Sequence, residues 1–168
     1  MTLAGGSAVI STDRLVSGDW RQLSPDDLAA LFKPEVVEFL PPGFQKLTTE
    51  LEQRNFLTGL SQQAEVLALF EGSGAGVGLV FLSHADPDAD PDRAECHLGY
   101  LLAQRVWGQG LATGLIAALQ DLYRGTDIPL CGGVMQGNTA SARLLQRAGF
   151  QGRDVGDEVV YFWSGAGH

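Results

Sequence analysis

Residues 105–112 read Arg-Val-Trp-Gly-Gln-Gly-Leu-Ala, a glycine turn set between an apolar strand-like run at 98–102 and a helix-like run at 111–123. A strand, a Gly-x-Gly turn and a helix start together form a site for a pyrophosphate. Glycine has no Cβ to block close approach, and the unpaired backbone N–H groups of a helix N-terminus point at the anion. This segment restricts the chain to a fold in which strands feed helices, and it points to a nucleotide-like cofactor.

The rest of the composition narrows the class. A chain of 168 residues folds as one domain with a core that needs neither disulfide nor metal. The net charge of -9 and only 11 scattered Lys and Arg exclude a phosphate-backbone interface, so no nucleic-acid partner is expected. An acidic surface suits a neutral or cationic substrate. Cys96 and Cys131 stand far apart without a Cys-x-x-Cys partner and read as buried free thiols in a reducing cytoplasm. Residues 1–10 lack a basic n-region and a long apolar stretch, so no signal peptide is expected. No apolar run approaches the roughly 20 residues of a membrane span.

Along the chain, 9–16 reads as a first strand broken by Thr12-Asp13-Arg14. Ser24-Pro25-Asp26-Asp27 opens a helix, with Ser24 as cap and Pro25 at the first helical position. A short helix is expected over 34–40, stopped by Pro41-Pro42-Gly43, and a third opens at Thr49 with Glu52. Runs 65–70 and 76–82 read as a β-hairpin, and 95–102 as a further strand. The helix at 111–123 carries an apolar stripe of Leu111, Leu115, Ala118, Leu119 and Leu122. A strand at 130–136, a helix at 139–148 closed by Gly149, and a last strand at 159–163 complete the order β-α-α-α-β-β-β-α-β-α-β.

Three turn patterns compete for the cofactor. A dinucleotide fingerprint needs Gly-x-Gly-x-x-Gly after the first strand of its unit, but Thr113 stands where the third glycine belongs and Gly114 comes one position late. A Walker loop needs Gly-Lys-Ser/Thr, and the chain has none. An Arg/Gln-x-x-Gly-x-Gly/Ala turn fits Arg105-Val106-Trp107-Gly108-Gln109-Gly110 at each specified position. That turn resembles the acetyl-CoA site of the GNAT acyltransferase superfamily. Asn138-Thr139-Ala140-Ser141, leading through a helix to Gly149-Phe150, resembles the second cofactor-contacting helix of the same superfamily. Leu98-Gly99-Tyr100 ahead of the turn, and Thr12-Asp13-Arg14-Leu15 followed by Leu31-Phe32, Pro34-Glu35-Val36 and Phe39-Leu40-Pro41, resemble the ribosomal-protein-alanine N-acetyltransferase-like branch.

The resemblance implies an α/β, single-domain GNAT-type fold over residues 10–163, with 1–9 and 164–168 as short tails. Its sheet is expected to be mixed and mostly antiparallel with flanking helices, splayed between the strands near 95–102 and 130–136. Acetyl-CoA is the implied cosubstrate, and cofactor contact is expected from Tyr100, Leu101, Leu102, Arg105, Trp107, Gly108, Gln109, Gly110, Leu111, Ala112, Thr113, Asn138 and Ser141. The N–H groups of Gln109–Ala112 can take the pyrophosphate with Arg105 nearby. The pantetheine amides would pair with the edge of residues 100–102. A backbone N–H of Leu101 or Leu102 is the candidate donor to the developing oxyanion. Asn138 caps its helix and can bond the pantetheine.

Acyl transfer to an amine also needs a base. Glu95 and His97 lie two apart on one strand, so they share a face opposite Cys96 and Leu98. An imidazole as a class titrates nearer neutrality than a carboxyl, so His97 is the expected base, with Glu95 orienting it or acting through water. Superfamily members often carry a Tyr seven positions after the helix-opening Asn; here that position is Leu145. Ser141, three positions after Asn138, takes the place implied to lie near the sulfur.

The alternating Asp86, Asp88, Asp90 and Asp92 lack the glycine and terminal Glu of a calcium loop, and His84, His97 and His168 lack ligand spacing, so no metal is expected. Gly72–Gly78 reads as a hairpin turn, and Phe162 of the last strand as core. The chain is thus expected to be a cytoplasmic N-acetyltransferase, monomer or homodimer, acting on a protein N-terminus or a small amine. A CoA-binding module without catalysis is the alternative, and another acyl donor such as succinyl-CoA would need an extra cationic group that the sequence does not offer. Acceptor contacts are expected from 34–60, the 83–93 loop and the last strand.

Overall fold

The computed structural model describes residues 9–84 and 95–165. Most of the 83–93 loop with its aspartates, His168 and most of both tails lie outside the described residues.

Helix starts follow the expected capping chemistry. Ser24 and Asp27 form a reciprocal capping box with Pro25 in the first turn of α1 (Pro25–Leu31), and Thr49 and Glu52 do the same for α3 (Glu50–Leu60). Thr49 bonds hold the Glu52 carboxyl below its ordinary pKa. The short helix α2 is Pro34–Val37 and does not continue to residue 40. The Gln45 side-chain amide donates to the Val37 and Leu40 carbonyls, and the chain turns away three residues early.

The strands form one seven-stranded sheet among the described residues, in the order β1-β2-β3-β4-β5-β7-β6. These are β1 (Leu15–Asp19), β2 (Glu65–Glu71), β3 (Gly76–His84), β4 (Cys96–Leu102), β5 (Leu130–Met135), β6 (Gln151–Val155) and β7 (Glu158–Trp163). Neighbours are antiparallel except β4 and β5, which are parallel. The expected hairpin of β2 and β3 is present, with a bulge at Leu69/Phe70.

Two expectations about the strands are corrected as well. The first strand is Leu15–Asp19 rather than 9–16; residues 9–12 fold back on it, with Ile10 N–H donating to Ser17 Oγ at 2.9 Å and Ser11 bridged to Val16. The polar Ser17-Gly18-Asp19 hid it from apolar periodicity. Strand β6 was absent from the expected order because Gln151-Gly-Arg-Asp-Val is exposed throughout and carries no alternation; it exists as an edge paired only with β7.

The sheet has a helical layer on each face. Phe32 at the end of α1, Phe44, and Phe56 of α3 pack with Phe81 of β3, centroids 4.7–6.5 Å apart. Phe81 lies opposite Gly99, so this face of β4 also carries His97. The other face of β4 carries Cys96, Leu98 and Tyr100 and is covered by α4 (Leu111–Tyr123) and α5 (Thr139–Arg147). The buried stripe of α4 is Leu111, Leu115, Ile116, Leu119, Gln120 and Tyr123, while Ala118 and Leu122 are only partly buried. Gln120 is satisfied in the core by donating to the Ala148 carbonyl at 2.7 Å.

Gly78 on β3 shows how tightly the β3–β4 step is packed. A Cβ there would stand 2.8 Å from Leu102 Cδ2 and 2.9 Å from the Leu101 carbonyl oxygen. Gly78→Ala is expected to destabilise the fold by about 1–3 kcal/mol, because a backbone oxygen cannot move aside cheaply. An unchanged urea midpoint would contradict this packing.

Candidate active site

The glycine turn lies between β4 and α4 as expected. Gly108 and Gly110 have φ of +77° and +79°, and nothing lies within 4 Å of a Cβ built at either. A left-handed φ and open space beside the backbone are what close approach by a ligand requires. Gly110 is the N-cap of α4 and supplies no side-chain cap, whereas α1, α3 and α5 are capped by Ser24, Thr49 and Asn138. The first N–H groups of α4 therefore lack the side-chain partner that those three helices carry. Arg105 is exposed beside the turn, and Trp107 anchors the turn by donating from Nε1 to the Leu102 carbonyl at 2.8 Å.

The two central parallel strands separate. Pairing between β4 and β5 covers only Cys96 with Leu130 and His97 with Cys131. Beyond His97, the edge of β4 that faces β5 has no ladder partner. The ladder with β3 continues through Leu101–Leu79 to an Ala103 N–H donating to Val77, while the Cys96 N–H donates to Pro129 on the other side. Strand alternation thus turns the N–H of Leu101 toward β3 and those of Tyr100 and Leu102 toward the open edge. Of the two oxyanion donors considered, the register leaves Leu102 facing the gap. The Tyr100 N–H, expected only on the pantetheine edge, faces the gap beside it.

The start of α5 faces the same gap. Asn138 Oδ1 accepts from the Ser141 N–H at 3.3 Å, the expected cap, and Ser141 Oγ lies 3.3 Å from the Tyr100 hydroxyl. Burial pushes the Tyr100 phenol above its ordinary pKa, with the Ser141 bond opposing. The side-chain contact of Tyr100 was not foreseen, since nothing local in the sequence joins residues 41 apart. Leu145 is buried, its Cδ1 near Gly132, and offers no hydroxyl. On the opposite side, Phe39 reaches within 3.6 Å of a Cβ built at Gly137, so the segment after α2 closes toward the β5–α5 turn.

Glu95 and His97 come together as the period of a strand dictates. His97 Nε2 and Glu95 Oε1 are 2.8 Å apart, with side chains 53% and 31% exposed. Glu95 lies one residue before the ladder of β4, and its Oε2 also accepts from the buried Cys131 thiol at 3.5 Å. Cys131, expected as a buried free thiol, is buried and also touches Glu95. Burial, and then the Glu95 carboxylate, push its pKa up to about 12. Burial likewise raises the Cys96 thiol, which lies against Tyr123. No cluster of three His, Cys, Asp or Glu able to hold a metal occurs among the described residues. No helix among them is long and apolar enough to cross a membrane.

The mixed sheet therefore splays between β4 and β5, with a glycine turn that lacks a side-chain cap at its opening. The family model for the acetyltransferase (GNAT) domain matches residues 20–151, and the chain belongs to this family. Its reaction is acetyl transfer, with acetyl-CoA as cosubstrate. No curated protein matches the chain by sequence.

Solved structures share the fold. A GNAT-family acetyltransferase from Bacillus anthracis superposes with a TM-score of 0.72 at 16% identity, covering 94% of this chain and 99% of that one. RimL, a ribosomal L7/L12 alpha-N-protein acetyltransferase in complex with coenzyme A, gives 0.75 at 19% identity, covering 95% and 99%. A GCN5-related N-acetyltransferase from Brucella melitensis gives 0.74 at 15% identity, covering 95% and 80%. At these identities the likeness is one of fold.

The thiols tie the site to pH. Folded Cys96 and Cys131 stay protonated where the unfolded chain ionises its thiols near 9.0. Above that pH the unfolded state binds fewer protons, so stability that is complete below it is lost as pH rises toward 12. Urea unfolding at about pH 8 and about pH 10.5 should show the loss, and Cys131→Ala should reduce it. Equal losses in both proteins would remove Cys131 from this account.

Proposed function

We propose that the chain is an N-acetyltransferase that acetylates a primary amine, at a polypeptide N-terminus or on a small molecule, with the Glu95–His97 pair as its base. The observation that carries this reading is the 2.8 Å bond between the two side chains at the parallel end of the splay. With the proton on Nε2 facing the carboxylate, Nδ1 of His97 keeps a lone pair for the amine proton. Glu95 then stabilises the imidazolium that results. Their bonding to each other favours turnover over a module that only binds CoA.

The donor side is assigned to the turn and the open edge. The cradle fits a pyrophosphate because its glycines leave the approach open and its helix has no side-chain cap. Backbone N–H groups over 109–113, with Arg105 and the Trp107-anchored turn, would hold it. Asn138 and the edge of residues 100–102 would hold the pantetheine, and acetyl-CoA supplies an acetyl group activated as a thioester. The N–H groups of Tyr100 and Leu102 would stabilise the negative charge that grows on the acetyl oxygen. Ser141 lies where it could protonate or solvate the leaving sulfur, a role left open by Leu145. The whole site falls within a single domain spanning 10–163, which we place in the cytoplasm as a monomer or homodimer.

Acceptor chemistry is tested by CoA release with peptides bearing free or blocked N-termini and with small amines. A free amine should be required; turnover with alcohols alone would refute the reading. His97→Ala and Glu95→Ala should lower kcat by about 10²–10⁴ while acetyl-CoA affinity stays nearly constant. Wild-type turnover in both would remove the pair as base. Gly110→Val should weaken acetyl-CoA binding by about tenfold or more through strain at positive φ and crowding of the anion, and calorimetry would measure it.

A further inference from the structure

We propose that Arg14, from the segment preceding β1, is a positioning residue that sets the anion-binding turn from 95 residues away. The proposal rests on the reading of the 108–112 turn as the cofactor site. Arg14 Nη1 donates to the Gln109 carbonyl at 2.6 Å, and Nη2 donates to Gln109 Oε1 at 2.6 Å. One guanidinium thus grips both the backbone and the side chain of the residue between the two glycines, using the fork that lysine lacks.

The consequence follows from the peptide unit. The Gln109–Gly110 peptide is trans, so its carbonyl and the Gly110 N–H point in opposite directions. Holding the carbonyl toward Arg14 turns the N–H away from it. Glycine at 110 would otherwise let this peptide plane rotate at little cost. Arg14 also draws the partial negative charge of that carbonyl onto a cation, away from an anion in the turn.

Arg14 is itself braced. Thr12 Oγ1 accepts from the N–H groups of Arg14 and Leu15 at 3.2 and 3.0 Å, and the Thr12 N–H donates to the Leu15 carbonyl at 2.8 Å. The Thr12 methyl lies 3.9 Å from a Cβ built at Gly114, in the first turn of α4. The Thr-Asp-Arg-Leu segment is therefore docked against the same helix start whose N–H groups it orders.

Calorimetry with CoA and dephospho-CoA tests this, on the wild type, Arg14→Ala and Arg14→Lys, with thermal unfolding as a folding control. Arg14 is exposed, and the variants should melt with the wild type. Arg14→Ala is expected to weaken both ligands by the same factor, on the order of tenfold, because both carry the diphosphate. Arg14→Lys should recover only part of the loss, since an ammonium cannot match the planar fork. Unchanged affinity in Arg14→Ala would overturn the proposal. Loss confined to CoA would overturn it too, by making Arg14 a contact to the 3′-phosphate. Full rescue by lysine would reduce the effect to charge alone and overturn positioning. Failure of the wild type to bind CoA would be a separate result, refuting the turn as a cofactor site and this proposal with it.

Discussion

The short parallel ladder between β4 and β5 is the constraint on which the site depends. It holds for two residue pairs, Cys96–Leu130 and His97–Cys131, and then the strands part. Pairing at one end sets the register, which places Glu95 and His97 beside Cys131. Separation at the other end leaves the backbone edge of Tyr100 and Leu102 without a strand partner. A fully paired sheet would satisfy those groups internally and offer a ligand nothing. Each half has its own support: the phenylalanine cluster under β3, and α5 against β5, where Leu145 lies over Gly132.

Helix ends divide the work of the site. α5 is capped by Asn138, which orders Ser141 beside the Tyr100 hydroxyl. α4 begins at a glycine without a side-chain cap, and its amides remain available. In a chain of net charge -9 the field as a whole does not attract a polyanion. The local charges at the turn are Arg105, exposed beside it, and Arg14, clamped to Gln109.

Features with a local cause were legible in the chain. Capping boxes at Ser24 and Thr49, the turn at Gly108 and Gly110, and α4 itself follow from neighbours within a few residues. The Glu95–His97 pair was legible because two residues is the period of a strand. Strand β6 was not, since an exposed edge strand has no burial pattern to read. Neither were the contacts of Tyr100 with Ser141, Cys131 with Glu95, and Arg14 with Gln109, which join residues 41, 36 and 95 positions apart.

Glycine conformations, helix caps and strand periodicity act over a handful of residues, so the family, the type of cofactor and the glycine turn ahead of α4 were readable from the chain alone. Which backbone N–H groups face the gap, and what lies beside each catalytic candidate and beside the turn, came only with the fold. Those answers depend on strand register and on where parallel pairing stops, and both are settled by long-range packing of the two sheet halves against their helices.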